Sequence, residues 1–345
     1  MSRAGAGQDA RPSRPSRPGR SHPEPVMGTV VSIDVRSPLD AVGLDAAIGA
    51  AVRVLHRVDE DFSTFRATSW VSRLRRGEIE LGDCPDHVRE VYRAAAECRE
   101  QTGGWFDPAW RGDGTLDPTG LVKGWAADAA STALTAAGAP SHCVSAAGDL
   151  RVRGTSGWAP GRPWRIGIAD PFDRARLVAV VEGTELAVAT SGVAERGAHV
   201  VDPRTGAPAT GLASVTLVGA DLVSADATLA DGFATAALAA GPEAPALLTH
   251  LARRGWEWLT VDTTGRLTHS AGFPGQVTTT AAGPAAETAP RPAGRPSDRP
   301  EAGRRTSRRE VTLSGWSVPS GSSSLTTRRR SPISSPWRCA TRAST

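Results

Sequence analysis

The sequence lacks most of the signatures that would fix a function at once. Its four cysteines, Cys84, Cys98, Cys143 and Cys339, never form a CxxC pair, which speaks against a zinc ribbon or a thioredoxin-type redox motif. They do not read as a disulfide framework either, because a chain of 345 residues can build a core without one. No run of about 18 apolar residues occurs, so no membrane-spanning helix is expected. The N-terminal stretch carries positive charge but no apolar segment and no clear cleavage site, and no lipobox is seen, so a cytoplasmic location is the default expectation. There is no Walker A sequence and no GxSxG elbow. Thr190-Ser191-Gly192 lacks the flanking glycine pattern, which leaves a hydrolase triad without an anchor. Gly5-Ala6-Gly7-Gln8-Asp9-Ala10 matches GxGxxA in form only, since no strand precedes it and a Pro/Arg tract follows. No internal repeat is visible.

What is present divides the chain into three zones. Residues 1–25 are rich in Arg, Pro, Ser and Gly, and residues 275–345 in Thr, Ala, Pro, Arg and Ser. Neither end holds enough large apolar side chains to offset the entropy of ordering, so both are read as disordered tails. The formal net charge is +4 and the pI is near 9.3. The basic residues responsible gather in the tails, for example Arg11, Arg14, Arg17, Arg20, Arg304, Arg305 and Arg328 to Arg330. Such blocks read as solvated tails, and aromatic residues do not interleave with them, so no nucleic-acid partner is expected.

Residues 26–274 carry regular patterning and read as one domain. Thr29 to Val35 alternates apolar and polar as a strand does. Leu44, Ile48, Val52, Leu55 and Phe62 recur at helical spacing, and Asp86 to Arg99 and Gly124 to Ala137 are further helices. Short strands follow at Cys143 to Ser145, Trp164 to Ile168, Leu177 to Val181, Leu186 to Ala189 and Ser214 to Val218. Ser224 to Ala240 turns helical again, and a hairpin around Thr263-Thr264-Gly265 closes the domain. Helices and strands mix without a βαβ beat, which predicts an α+β fold rather than a doubly wound sheet.

The segment with most chemical content is Ala230-Asp231-Gly232-Phe233-Ala234-Thr235-Ala236. Residues four apart share a helix face, so Asp231 and Thr235 would offer a carboxylate and a hydroxyl to one point. Both are hard oxygen donors of the kind magnesium prefers. An ordinary reading stands beside this one: the Asp as a helix cap, the Thr bonded back to the carbonyl four residues earlier. Elsewhere, Thr102-Gly103-Gly104-Trp105-Phe106-Asp107-Pro108 sets glycines beside two aromatic rings and a carboxylate. Leu116-Asp117-Pro118-Thr119-Gly120-Leu121-Val122-Lys123-Gly124 sets an acid, a flexible glycine and a phosphate-suited lysine in one stretch. His199-Val200-Val201-Asp202-Pro203-Arg204-Thr205-Gly206 adds polar loop residues.

The order of these segments resembles the ApbE family, the FAD:protein FMN transferases. Also matching are Met27-Gly28-Thr29, Asp61-Phe62-Ser63-Thr64-Phe65, Ala147-Gly148-Asp149 and Thr190-Ser191-Gly192. The resemblance implies a two-lobed α+β fold with FAD in the cleft between lobes and magnesium against its diphosphate. It implies transfer of FMN to a threonine hydroxyl of a target flavoprotein, with release of AMP. Family targets carry an Asp-Gly-x-Thr-type motif, often in membrane redox subunits, so any membrane association would come through the acceptor. Carried over, the pattern makes Asp231, Thr235 and the Gly120 carbonyl metal ligands, with the backbone of Ala234 nearby. It makes Met27 a flavin contact, Phe65 a ring that could stack on the flavin or the adenine, and Trp105, Phe106 and Asp107 adenine- and ribose-side contacts. Asp117, Lys123 and Thr205 become further FAD contacts, and His199 the candidate general base. His199 could equally be a loop histidine bonded to backbone, and core packing is the alternative reading of Trp105 and Phe106.

The chain departs from the family pattern where Phe65 replaces a frequent Tyr, where Ala147 replaces the first of two glycines, and at Pro118. The tail after residue 275 has no family counterpart. Two other readings compete: a protein that binds FAD, or cleaves it as a metal-dependent pyrophosphatase, without a protein acceptor, and an interaction protein driven by its tails.

Overall fold

The computed structural model describes residues 19–157, 161–193, 200–221 and 224–278. Eleven strands and six α-helices follow one another as β1 (Arg20–Val26), β2 (Thr29–Val35), α1 (Ala41–Phe62), α2 (Trp70–Arg75), α3 (Asp86–Gln101), α4 (Val122–Ala136), β3 (His142–Ala146), β4 (Asp149–Arg153), β5 (Trp164–Ala169), β6 (Leu177–Gly183), β7 (Glu185–Gly192), β8 (Leu212–Gly219), α5 (Ala227–Ala240), α6 (Ala244–Ala252), β9 (Glu257–Asp262), β10 (Leu267–His269) and β11 (Gly275–Val277). The fold is α+β, as the mixed pattern predicts.

An antiparallel sheet runs in the order β1-β2-β3-β4-β7-β8-β9-β10, and a smaller one in the order β11-β6-β5. Strand alternation sends Val144, Ala146, Ala187, Ala189, Val215 and Leu217 into a core shared with the helices. The intervening Cys143, Leu186, Val188 and Val218 enter a second core with Trp164, Ile168, Val178 and Val181 of the small sheet. The middle strands of the large sheet, β3, β4, β7 and β8, are therefore buried on both faces, between a helical layer and the small sheet, while β1 and β2 keep an exposed face. This explains why β7 and β8 read as nearly continuous apolar runs.

Two segments assigned to the tails belong to the sheets. Arg20 to Pro25 form most of β1, paired with β2 from Arg20↔Val35 to Val26↔Thr29, and Gly275–Val277 pairs with β6. The two-residue turn makes Val26↔Thr29 the closing hydrogen-bonded pair, so Pro23 and Pro25 turn their nitrogens to the free edge. There the missing N–H costs nothing. The hairpin turns Met27-Gly28 and Ala147-Gly148 hold the two non-glycine residues with positive φ among the described ones, Met27 at 54° and Ala147 at 55°. The type I′ geometry of two-residue hairpins demands this, and it strains any side chain.

Helices α4 and α5 cap each other. The N-cap position of α4 is Leu121, which cannot accept a hydrogen bond, and Asp231 of α5 accepts the Gly124 N–H at 3.0 Å instead. Reciprocally, Asp128 of α4 accepts the Thr228 N–H at 2.9 Å and its hydroxyl at 2.8 Å.

His142 is fully buried at the base of β3. Its Nδ1 lies 2.6 Å from the Ala139 carbonyl oxygen and its Nε2 2.8 Å from Ser131 Oγ. A carbonyl only accepts, so Nδ1 carries the proton, Nε2 accepts, and the ring is neutral. Burial is the main cause that lowers its pKa from 6.5 to about 4, assisted by Arg153 and Arg151 and opposed by the bond to Ala139. The unfolded chain takes up this proton first, so the contribution is complete above pH 6.5 and is lost as the pH falls toward 4. His142→Gln keeps a donor and an acceptor without the titration. Wild type is expected to lose about 3 kcal/mol relative to this variant between pH 7 and pH 4, measured by urea unfolding at intervening pH values. A difference independent of pH would contradict the assignment.

Candidate functional site

A cavity of about 830 Å³ opens between the two cores, within the size range of small-molecule sites. Both strained hairpins border it, through Gly28 and Thr29 on one and Ala147 and Gly148 on the other. The 105–123 connection contributes Trp105, Phe106, Asp107, Trp110, Asp117, Thr119, Gly120 and Lys123. Strand β5 and the turn after it contribute Ile166 to Pro171, and β7 contributes Thr190 to Gly192. Asp231 and Thr235 complete one wall from α5.

On that wall the helical spacing works as the sequence suggests. All residues of α5 except Leu229 and Thr235 are buried. The Thr235 hydroxyl does not bond back along its own helix, as those of Thr132 and Thr135 do. It reaches across to the Gly120 carbonyl at 3.1 Å and lies 3.2 Å from Ser191 Oγ. Nor does Asp231 cap its own helix, because Asp226 does, accepting the Leu229 N–H at 2.9 Å. The back-bonded reading of Thr235 is thereby excluded, while Asp231 does serve as a cap, for α4 and not for its own helix. Asp231 is 2% exposed, and its Oδ1 lies 3.7 Å from Lys123 Nζ. Burial raises its pKa, against the pull of Lys123 and of the backbone N–H groups at the start of α4.

A buried carboxylate whose charge is incompletely offset gains from a cation. Around it stand a hydroxyl and a backbone carbonyl, an all-oxygen set. Among the described residues, no group of three or more His, Cys, Asp or Glu could hold a metal. The all-oxygen set is compatible with a magnesium-type site, which needs only one or two carboxylates and completes its shell with neutral oxygens, waters and ligand phosphates. The residues fit such an ion.

The remaining predicted residues divide. Trp105 and Phe106 are buried in the helical core and also line the cavity. The Arg204 guanidinium stacks 3.6 Å from the Trp105 ring centroid. Asp107 lines the cavity, paired with Arg99 at 3.2 Å. Asp117 is held by Arg75 and by Arg111 at 3.2 Å, and its other oxygen accepts the Thr119 hydroxyl at 2.6 Å. Met27 packs on the helical core, while its neighbours Gly28 and Thr29 face the cavity.

Besides Met27, three predicted residues do not line the cavity. Phe65 is 98% exposed and does not line the cavity. Its loop turns back on itself, with the Phe65 N–H bonded to Ser63 Oγ at 3.3 Å. Thr205 spends its hydroxyl on Asp202 at 3.1 Å in an exposed turn. Ala234 sits in the helical core, because one residue back from Thr235 the helix has rotated about 100° away from the wall. His199 lies outside the described residues. Sequence reasoning placed Asp149 and Ser191 in matching segments without giving them a role; Asp149 is buried beside Lys123 and Ser191 lies 3.2 Å from the Thr235 hydroxyl.

A family model described as the ApbE family matches residues 27–113 and 111–255. The chain is 31% identical over 102 residues to an FAD:protein FMN transferase of Vibrio cholerae serotype O1, covering 27% of this chain and 30% of that protein. It is 39% identical over 101 residues to one of Rhodobacter capsulatus, covering 27% and 19%. These matches span less than a third of the relatives' own length. In structure it resembles the ApbE protein of Thermotoga maritima, with a TM-score of 0.65 at 24% identity over 74% of this chain and 98% of that one. It also resembles the flavinyl transferase ApbE of Pseudomonas stutzeri, with a TM-score of 0.61 at 27% identity over 74% and 95%.

Proposed function

The chain belongs to the ApbE family, and from that premise we propose that it is an FAD:protein FMN transferase, binding FAD in the cavity and passing FMN to a threonine hydroxyl of a target flavoprotein. The observation that carries the reading is the convergence of the Asp231 carboxylate, the Thr235 hydroxyl, the Gly120 carbonyl and the Lys123 ammonium on one wall of a cavity edged with aromatic rings.

In this reaction the acceptor oxygen bonds to the phosphorus of the FMN half. The bond from that phosphorus to the AMP phosphate breaks, and its electron pair leaves with AMP. The hydroxyl proton goes to a base. Such a transfer depends on positioning and charge neutralisation more than on covalent help from the enzyme. Trp105 and Phe106 offer flat apolar surface to a ring, and the Asp107 carboxylate beside them suits ribose hydroxyls. Lys123 places a positive charge for a phosphate oxygen. His199 is the proposed base, directly preceding Val200 and Val201, which line the cavity. A magnesium ion held by Asp231, Thr235 and the Gly120 carbonyl would supply charge neutralisation at the diphosphate.

Incubation of the full chain with FAD, magnesium and a peptide bearing an Asp-Gly-x-Thr motif is expected to yield an FMN adduct on threonine by mass spectrometry. Free FMN and AMP without adduct would replace the transferase by a pyrophosphatase. FAD bound but unchanged would reduce the chain to a binding protein.

A further inference from the structure

One lysine is shared between two buried carboxylates. The Lys123 ammonium donates to Asp149 Oδ2 and stands 3.7 Å from Asp231 Oδ1. Asp149 is 1% exposed, opens β4 directly after the Ala147-Gly148 turn, and is fixed from a second side as its Oδ1 accepts the Thr190 N–H at 3.2 Å. Asp231 is anchored through Oδ2 by the Gly124 N–H at 3.0 Å, which leaves Oδ1 as the oxygen that faces the ammonium. The lysine therefore bonds the carboxylate that has no part in the cation site and stands off the one that does.

The charges give this arrangement a consequence. Two carboxylates and one ammonium leave a net charge of one negative unit where the cation would bind. With Asp149 neutral, the ammonium would have Asp231 as its one anionic partner, cancel its charge and occupy the approach to Oδ1. Like charges a few ångströms apart in a partly buried site repel strongly.

We propose that Asp149 is a positioning residue that draws the Lys123 ammonium off Asp231, keeping Oδ1 open to a divalent cation and the ammonium beside the place where an anionic phosphate group binds. The proposal rests on the transferase reading but is tested without turnover. The probe is Mn2+ alone, titrated calorimetrically into the full chain without FAD.

Asp149→Asn, which keeps the acceptor for Thr190, is expected to weaken Mn2+ binding about tenfold, the usual scale for a residue that orients a metal site's neighbours. Lys123→Met is expected to tighten it about tenfold by removing the competing cation. In a Lys123→Met background, Asp149→Asn should change the affinity by less than about threefold, since no ammonium is left to move. A merely structural role would weaken binding in both single variants. Lys123→Met that weakens binding or leaves it unchanged overturns the proposal, as does an equal effect of Asp149→Asn in both backgrounds. Should Asp149→Asn not fold, Asp149→Ser takes its place in both backgrounds, with the same outcomes. Wild type that binds no Mn2+ without FAD overturns this proposal, which needs a cation site formed before the diphosphate arrives, and leaves the transferase reading standing. Bound Mn2+ with the wrong signs removes this proposal and leaves the transferase reading standing.

Discussion

Asp231→Ala is expected to lower FMN transfer by at least about 100-fold, because it deletes the one charged donor among the three oxygens proposed to hold the cation. The structure adds a complication that the motif alone does not contain. Asp231 is also the acceptor for the Gly124 N–H at the start of α4, a helix whose own N-cap residue, Leu121, cannot do this. Removing the side chain leaves a buried donor without a partner and should cost about 1–2 kcal/mol of stability. A loss of activity in this variant alone would mix the two effects. Asp231→Asn separates them, since its amide oxygen can still accept from Gly124 while the charge is gone. The expected result is near wild-type unfolding in urea together with an equally deep loss of transfer, measured as FMN adduct formed per unit time. Substantial transfer by Asp231→Asn would show that the carboxylate is there to cap a helix, and the site would need another centre.

The double duty of Asp231 bears on how far the sequence could be read. The i, i+4 spacing of Asp231 and Thr235 was legible because a helix fixes it locally. The same geometry shows why Ala234, carried over by resemblance, misses the wall. What the spacing could not supply was the partner set. Gly120, Ser191 and Asp149 reach the site from a loop and two strands, and only the tertiary fold brings them together. A signal for Asp149 was present: a small residue and a glycine, then an acid opening a new strand. The strand itself was missed because Asp149, Arg151 and Arg153 look like a solvent face. In the fold, Arg151 is buried and bonded to Glu185 at 3.0 Å and to the Leu186 carbonyl at 3.2 Å. Charged side chains pointing inward invert the usual pattern, and pairing alone makes this tolerable. Strand β1 was hidden for a different reason, since two prolines in seven residues argue against a strand everywhere except at an edge. The sheets and helices with ordinary amphipathic patterns, among them β2, α1 and α3, were read correctly from periodicity.

Gly124→Ala is expected to be the most damaging single-methyl change in the helical layer. The added Cβ would lie 2.6 Å from the Ala227 carbonyl carbon, closer still to its oxygen, and 2.9 Å from Asp231 Cβ. The atoms it meets are helix backbone, so no side chain can swing aside, and α4 and α5 must move apart. The pair is also tied reciprocally through Asp231 and Asp128, so separation strains both caps. Overpacking of this kind costs about 3 kcal/mol, or a fall in Tm of roughly 6–12 °C for a domain of this size. Ordinarily Gly→Ala inside a helix is favourable by about 1 kcal/mol, so the sign of the change is itself the test. Gly82→Ala supplies the control: nothing lies within 4 Å of its Cβ, and its stability should stay within about 0.5 kcal/mol of wild type. Transfer by Gly124→Ala, assayed well below its lowered Tm, should fall further than its folded fraction explains. Gly124 directly follows Lys123, and the methyl group pushes on Asp231, so the lysine and the carboxylate are displaced together. A stable Gly124→Ala variant would mean that α4 and α5 do not cross this closely, and the wall that joins Gly120, Lys123, Asp231 and Thr235 would have to be rebuilt.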